Sequence, residues 1–428
     1  MKQRDERTRP TQGGFRPGRG CVDQVFTLRR ILEHRWCYQQ PTVICFIDFK
    51  AAFDCIDRNA LWQIMKSDGM PCKLLELIKS YYKCTRSKVL CNNSVSDWFD
   101  IESGVRQGCP LSPTLFNYAV DFILHKSLTK YPGVQLSRHV STKDLAYADD
   151  VAIIASSYSD IQLMINDIAH NAALIGLRIN SSKTKVMSSG INHTDQVPVQ
   201  IDAVPLEEVP NFVYLGCRIS ANGQSADDVS SRIGKASNAF GRLKRCLWAR
   251  GEIRRQTKMR IYQAVVRSIL LYGCESWAVR QSDLHQLEVF DRRCIRRILG
   301  ISLIDHVSNK ELYRKAHLKT LSQDLTTRRL RWFGHALRRQ PGELVHEVID
   351  PQPIAQWKKR CGGQLCTWLS SIKKEIEKSS GPKIYGLRRW SREWVKISKE
   401  LASNRQAWSA FIRDHIEAME GAGSTHPG

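Results

Sequence analysis

The hydrophobic pattern of the 428-residue chain changes character near Ser225. Before that point, short apolar runs of strand length alternate with helical stretches. Val43-Ile-Cys-Phe-Ile-Asp-Phe49 is β-branched, nearly continuous and preceded by Pro41, the pattern of a strand buried in a sheet. Val22–Tyr38 carries Val25, Phe26, Leu28, Ile31 and Leu32 at helical spacing. Leu61–Tyr82 reads as helix broken at Gly69-Met-Pro71, and Thr114–Leu128 as helix entered from the Gly/Pro loop Val105–Pro113. Leu145–Ala155 reads as a hairpin with Ala148-Asp149-Asp150 at its tip. A helix over Ile161–Ile175 stops at Gly176, and strands follow near Lys185–Met187 and Phe212–Ile219.

Beyond Ser225 the periods are helical throughout. Over Leu287–Leu299, Leu287, Phe290, Cys294 and Ile298 share one face, while Arg292, Arg293, Arg296 and Arg297 lie opposite. Such a helix is expected to pack inward and present four guanidinium groups outward. The stretch 343–419, with Trp357, Trp368, Trp390, Trp394 and Trp408, reads as amphipathic helices, and the small, polar tail after Met419 as frayed. No apolar run approaches the roughly 20 residues of a membrane helix.

Charge sharpens this division. The formal net charge is +23, and residues 231–340 hold 25 Lys/Arg against 8 Asp/Glu. One block thus carries most of the excess, which predicts a polyanionic partner rather than an evenly mixed solvated surface. The segment Arg328-Arg-Leu-Arg-Trp-Phe-Gly-His335 mixes arginine with aromatics. That composition suits phosphates and stacked bases, or a tryptophan-anchored helix with a charged outer face. Fourteen cysteines behind a polar, charged N-terminus predict reduced thiols in a nuclear or cytoplasmic, not secreted, protein. Cys361, Cys366, His335 and His346 miss the paired spacing of a zinc site.

Three carboxylates carry the chemistry. Asp48 ends the buried strand, and Asp149 and Asp150 sit at the hairpin tip. Each alone is an ordinary turn residue. Converging at one sheet edge, they would repel one another, and divalent cations bound together with substrate phosphates are the natural remedy. The carboxyls of Asp48 and Asp149 are therefore expected to lie close enough to share a metal.

The neighbouring residues resemble a known family. Phe46-Ile-Asp48-Phe-Lys-Ala-Ala-Phe53-Asp54 resembles motif A of the reverse transcriptases of non-LTR retrotransposons and group II introns. Gly104-Val-Arg-Gln-Gly108-Cys-Pro-Leu-Ser-Pro113 resembles motif B, and Tyr147-Ala-Asp149-Asp150 is similar to motif C. Gly176-Leu-Arg-Ile-Asn180 with Lys183-Thr-Lys185 resembles motif D, and Phe212-Val-Tyr-Leu-Gly216 resembles motif E. The opening Gln12–Gly20 is similar to the loop this family places before motif A. Five motifs in order are a strong signal.

The resemblance implies an α+β right-hand polymerase fold, with an antiparallel palm sheet backed by helices, partial fingers, a helical thumb and a helical C-terminal extension. It divides the chain into partial fingers (1–42), palm with remaining finger elements (43–225), thumb (226–280) and basic helical extension (281–428). The implied function is RNA-directed DNA polymerase of a LINE-like animal element, using an RNA template, a DNA primer, deoxynucleoside triphosphates and two Mg²⁺ ions, or Mn²⁺ in their place. Asp48, Asp149 and Asp150 would be the metal ligands, with the Phe49 carbonyl facing a metal. Lys183 or Lys185 would protonate the leaving pyrophosphate. Phe53 would be the steric gate against a ribose 2′-hydroxyl, or plain core. Gln107 and Gly108 would lie under the templating base pair, Arg106 would touch the template or the triphosphate, and Tyr147 would line the nucleotide site. The run from Arg242 to Lys258 would grip duplex phosphates.

The resemblance covers roughly Thr11–Arg339. The upstream finger segment and the endonuclease of longer family members are expected to be missing, supplied in a longer polyprotein. The alternative is therefore an inactive remnant that only binds nucleic acid. An RNA-templated RNA polymerase, which would share the palm, is disfavoured by Phe53 and by Ala148.

Overall fold

A computed structural model describes residues 2–191, 197–362 and 365–422. The last six residues of the polar tail lie outside the described residues. Packing groups the chain into two units: residues 1–24, 39–210 and 352–357 in one, and 25–38, 211–351 and 358–428 in the other. The thumb and extension segments fall into a single unit, because their helices share one apolar core.

The first unit is built on a five-stranded sheet. Its strands are β1 (Thr42–Ile47), β2 (Asp144–Tyr147), β3 (Asp150–Ala155), β4 (Lys185–Ser189) and β5 (Glu207–Glu208), in the order β5-β4-β1-β3-β2. The pairs β4-β1, β1-β3 and β3-β2 are antiparallel, in registers that include Cys45 opposite Val186 and Ile153. The expected all-antiparallel sheet is corrected at one edge, where β5 runs parallel to β4. All six residues of β1 are buried, as its uninterrupted apolar run requires.

Val43, Cys45 and Ile47 of β1 and Val151, Ile153 and Ala155 of β3 join one core with the helices Ser112–Leu128 and Tyr158–Ala173. Fully buried Ile and Leu side chains there each stabilise the unit by about 1.5–3 kcal/mol. Ser157 caps the second helix by accepting the amide of Asp160. The predicted helix at residues 61–82 is two, Arg58–Ser67 and Cys72–Tyr82, broken where Pro71 removes a donor.

The second unit takes most of the helix Cys21–Cys37, then the hairpin Asn211–Tyr214 and Cys217–Ser220, and is helical thereafter. Its core holds a polar node that the helical periods do not reveal. Asp291, fully buried on the helix Gln281–Leu299, accepts from Tyr262 (2.7 Å), Tyr313 (2.8 Å) and Arg267 Nε and Nη2 (3.0 and 2.9 Å). Arg267 also bonds Asp324 at 2.8 Å. The carboxylate is paired and its bonding capacity filled, so a buried charge is tolerable.

The structure corrects three readings of the basic block. Arg232, Lys258, Arg267 and Arg329 are buried, so part of the excess charge points inward. Lys258 donates to the carbonyls of Trp248 (3.0 Å) and Arg250 (2.6 Å) instead of facing a phosphate. On the helix Gln281–Leu299, only two of the four expected outward arginines are open: Arg292 pairs with Glu288 at 3.0 Å, and Arg296 donates to the Val307 carbonyl at 2.8 Å. In the segment Arg328–His335, Arg329, Leu330, Phe333 and Gly334 are buried while Arg331 is exposed. Phe333 is fully buried, with its ring centroid 5.7–6.0 Å from those of Trp368, Trp394 and Trp408, and Arg329 reaches Ser371. Between residues 242 and 260, Arg242, Lys244, Arg245, Arg250, Arg254, Arg255 and Arg260 remain exposed.

Asp291→Ala should destabilise the protein by about 3–5 kcal/mol in urea unfolding, because it strands the Arg267 charge in the core. Arg293→Ala, at an exposed position on the same helix, should change stability by less than about 0.5 kcal/mol.

Candidate active site

The sheet register brings the acidic residues together. Ile47 pairs with Val151, so Asp48 and Asp150 follow at the same end of adjacent strands. Tyr147 pairs with Asp150, leaving Ala148-Asp149 as a two-residue loop rather than the three-residue tip expected. Ala148 takes a left-handed φ of 58° and is buried, which throws Asp149 outward beside Asp150. The backbone of Asp48 is held from the other side. Its carbonyl accepts from Asn180 N at 2.7 Å, its N–H donates to the buried Thr184 hydroxyl at 3.3 Å, and Phe49 bridges Ile179.

The charges respond to this crowding. Desolvation, and secondarily the negative charge of Asp48, raises the Asp149 carboxyl above its ordinary value, against the pull of a backbone hydrogen bond. Desolvation, then Asp149 and Asp48, pushes Asp150 from an ordinary 3.8 up to about 6. Lys183 Nζ lies 3.9 Å from Asp48 Oδ2, with its side chain 70% exposed. Lys185 is instead tied to Glu207 and the Ser182 carbonyl, both at 2.7 Å. Lys183 is therefore the lysine beside the carboxylates.

The motif B loop packs along the segment after Asp48. Gly104 (φ 74°) donates to the Ile56 carbonyl, and a Cβ there would lie 2.6 Å from the backbone oxygens of Phe53 and Asp54, so only glycine fits. Phe53 stacks on Phe116, with centroids 4.4 Å apart and planes 8° from parallel. Gln107 is exposed and donates to Asp54 at 3.2 Å, and Gly108 is exposed at φ 85°. The Arg106 guanidinium lies 4.3 Å over the Tyr81 ring and donates to the Tyr81 carbonyl (2.9 Å) and the Thr85 hydroxyl (3.2 Å).

Among the described residues, no three His, Cys, Asp or Glu side chains are grouped tightly enough to hold a metal ion. The donor set nevertheless fits a hard divalent cation. Mg²⁺ commonly takes one or two carboxylates and completes its shell with water and substrate phosphates, so no closed protein cage is required.

With this geometry in hand, the comparisons with known proteins are direct. The model of the family described as reverse transcriptase (RNA-dependent DNA polymerase) matches residues 1–219. The chain belongs to that family. This family generally uses divalent metals. A transposon-derived protein of Caenorhabditis elegans is 24% identical over 63% of this chain and 95% of its own length. The Pol polyprotein of the type-2 retrotransposable element R2DM of Drosophila melanogaster is 24% identical over 54% of this chain. The RNA-directed DNA polymerase from mobile element jockey of Drosophila funebris is 23% identical over 68% of it. The chain spans only 23% and 32% of those two polymerase relatives. No helix among the described residues is long and apolar enough to cross a membrane.

Sequence reasoning missed the residues that hold the acids in place. Thr184 and Asn180 stood inside the motif D stretch, yet nothing in the sequence shows that they bond Asp48. Gln12 stood in a glycine-rich loop with no visible partner, although it is completely buried against the hairpin.

A carboxyl raised by folding favours the folded state while protonated. That contribution is full below about pH 4 and is lost as pH rises through about 6. In EDTA at pH 8, Asp150→Asn should therefore be more stable than the parent by under about 1 kcal/mol after solvent screening, and melt at a higher Tm. The gain should vanish at pH 3.5, and Mg²⁺ should stabilise the parent more than the variant. Equal Tm for both proteins at pH 8 in EDTA would contradict the crowding.

Proposed function

We propose that this chain is the polymerase portion of a non-LTR retrotransposon reverse transcriptase, extending a DNA primer along an RNA template with deoxynucleoside triphosphates. The observation that carries the reading is the meeting of Asp48 with Asp149 and Asp150 at one end of paired strands. Asp48, Asp149 and Asp150 would hold the metals. Two Mg²⁺ ions, when bound with the triphosphate, would activate the primer 3′-hydroxyl and offset charge on the departing pyrophosphate.

The other roles belong to this chain's own side chains. Lys183, exposed beside Asp48, is placed to donate a proton to the pyrophosphate oxygen. Phe53, its ring braced flat on Phe116, is a rigid wall suited to exclude a ribose 2′-hydroxyl. Gln107 and Gly108 offer an amide and an uncluttered backbone to the templating pair. Tyr147, half-buried opposite Asp150, would line the nucleotide site, and the Phe49 carbonyl would face the metals. The exposed cations from Arg242 to Arg260 hold nucleic-acid phosphates without reading sequence. The binding-only alternative would draw on the same exposed cations from Arg242 to Arg260 without chemistry at the carboxylates.

Primer extension on poly(rA) with oligo(dT), dTTP and Mg²⁺ tests the reading. The parent should extend, and Asp149→Ala should lose at least about 100-fold in rate. Extension surviving in the variant would overturn the site. No extension by either protein, with tight and salt-sensitive duplex binding, would leave a binding remnant. Phe53→Ala should raise ribonucleotide use relative to deoxynucleotide by about 10-fold or more. An unchanged ratio would reduce Phe53 to core packing on Phe116.

A further inference from the structure

We propose that Gln12 is a positioning residue whose side-chain carbonyl sets the Ala148-Asp149 loop, and with it the Asp149 carboxyl. Its purpose rests on the polymerase reading above, while its geometry does not. The Gln12 side chain is completely buried. Its Oε1 accepts from two backbone amides at once, Gly14 N at 2.8 Å and Ala148 N at 3.0 Å. A carbonyl oxygen has two lone pairs, and both are used here. Turning the amide over would face an NH₂ group against two N–H donors, so the orientation is forced. The buried Nε2 has no partner, which leaves the two bonds through Oε1 as the work of this side chain.

The surrounding contacts converge on the same loop. Gly13 N donates to the Ala146 carbonyl at 2.8 Å, and Ala146 N to the Thr11 carbonyl at 3.1 Å, so Gln12 forms a parallel bridge with Ala146 at the edge of the hairpin. Gln24 Nε2 ties Thr11 and Ala146 together by donating to both carbonyls, at 3.0 and 3.1 Å. Asn117, on the helix Ser112–Leu128, donates to the Gly14 carbonyl at 2.9 Å. A Cβ on Gly14 would lie 2.3 Å from Ala148 N, a backbone atom that no side-chain rotation can move aside.

The approach is close enough to force strain on both partners. Phe15 and Ala148, neither a glycine, take left-handed φ values of 56° and 58°. Such conformations persist only where their surroundings over-determine them. Ala148 is bonded directly to Asp149, so a loop released from Gln12 moves that carboxyl. Displacement of a reacting group by about 1 Å is worth about 100-fold in rate.

The test uses the whole chain and two readouts. Gln12→Asn keeps the amide but is one methylene short of both donors. Backbone amides of residues 146–150 should exchange with deuterium about 10-fold faster in it, with β3 beyond residue 151 unchanged. In primer extension, kcat should fall about 100-fold while the dNTP KM and duplex Kd stay within about 3-fold. Gln12→Glu, which keeps an acceptor in place, should preserve the slow exchange and most of kcat. Gly14→Ala, with Gln12 intact, should reproduce the kcat loss by pushing the loop directly. Gln12→Met, isosteric but lacking an acceptor, repeats the test should the shorter Asn side chain leave a void that prevents folding.

Parent-like exchange and kcat in both Gln12→Asn and Gln12→Met would overturn the proposal. A parent that never extends a primer, yet shows the predicted exchange pattern, would sink the polymerase reading and leave the positioning standing.

Discussion

Like charge held at the end of a buried strand is the constraint around which the first unit is arranged. Asp48 caps a strand with no exposed residue, and the antiparallel neighbour begins with Asp150. Their mutual repulsion and desolvation oppose folding, as the rise of Asp150 to about 6 records. Such an arrangement persists because the sheet and its two backing helices bury enough apolar surface to outweigh it. On the proposed reading it would also give the site its reactivity, since a carboxylate cluster short of positive charge is poised to take up hard cations.

The second unit handles charge in the opposite way. Asp291 is buried more deeply than any of the candidate ligands, yet every oxygen is met by Arg267, Tyr262 or Tyr313. A filled, neutralised carboxylate fixes helices in place. Asp149 and Asp150, exposed and with no arginine or lysine among the described residues bonded to them, are left for a ligand on the proposed reading.

Much of this was legible in the sequence where a local pattern suffices. The β-branched run at residues 43–49, the break at Pro71 and the stop at Gly176 each appear within a residue or a few of their expected places. The candidate acids were legible because strand ends and hairpin tips are local features, and their neighbours matched family motifs. What stayed hidden depends on contacts distant in sequence. The partners of Asp291 lie 22 to 29 residues away on other helices, and Gln12 meets Ala148 across 136 residues. Lys258 and Arg329 were read as nucleic-acid contacts, or left open as such, because composition counts a cation without showing what it faces. The structure turns each toward carbonyls or a hydroxyl of its own unit.

The most direct test of the central claim, that residues distant in sequence form one cation site, is backbone cleavage by Fe²⁺ with ascorbate and peroxide. Iron held between the carboxylates should cut the chain both near Asp48 and near Asp149 in the same preparation. Mg²⁺ should suppress both cuts together, and Asp149→Asn should abolish both. Cuts confined to one of the two stretches, or cutting near Asp48 that persists unchanged in the variant, would contradict a shared site.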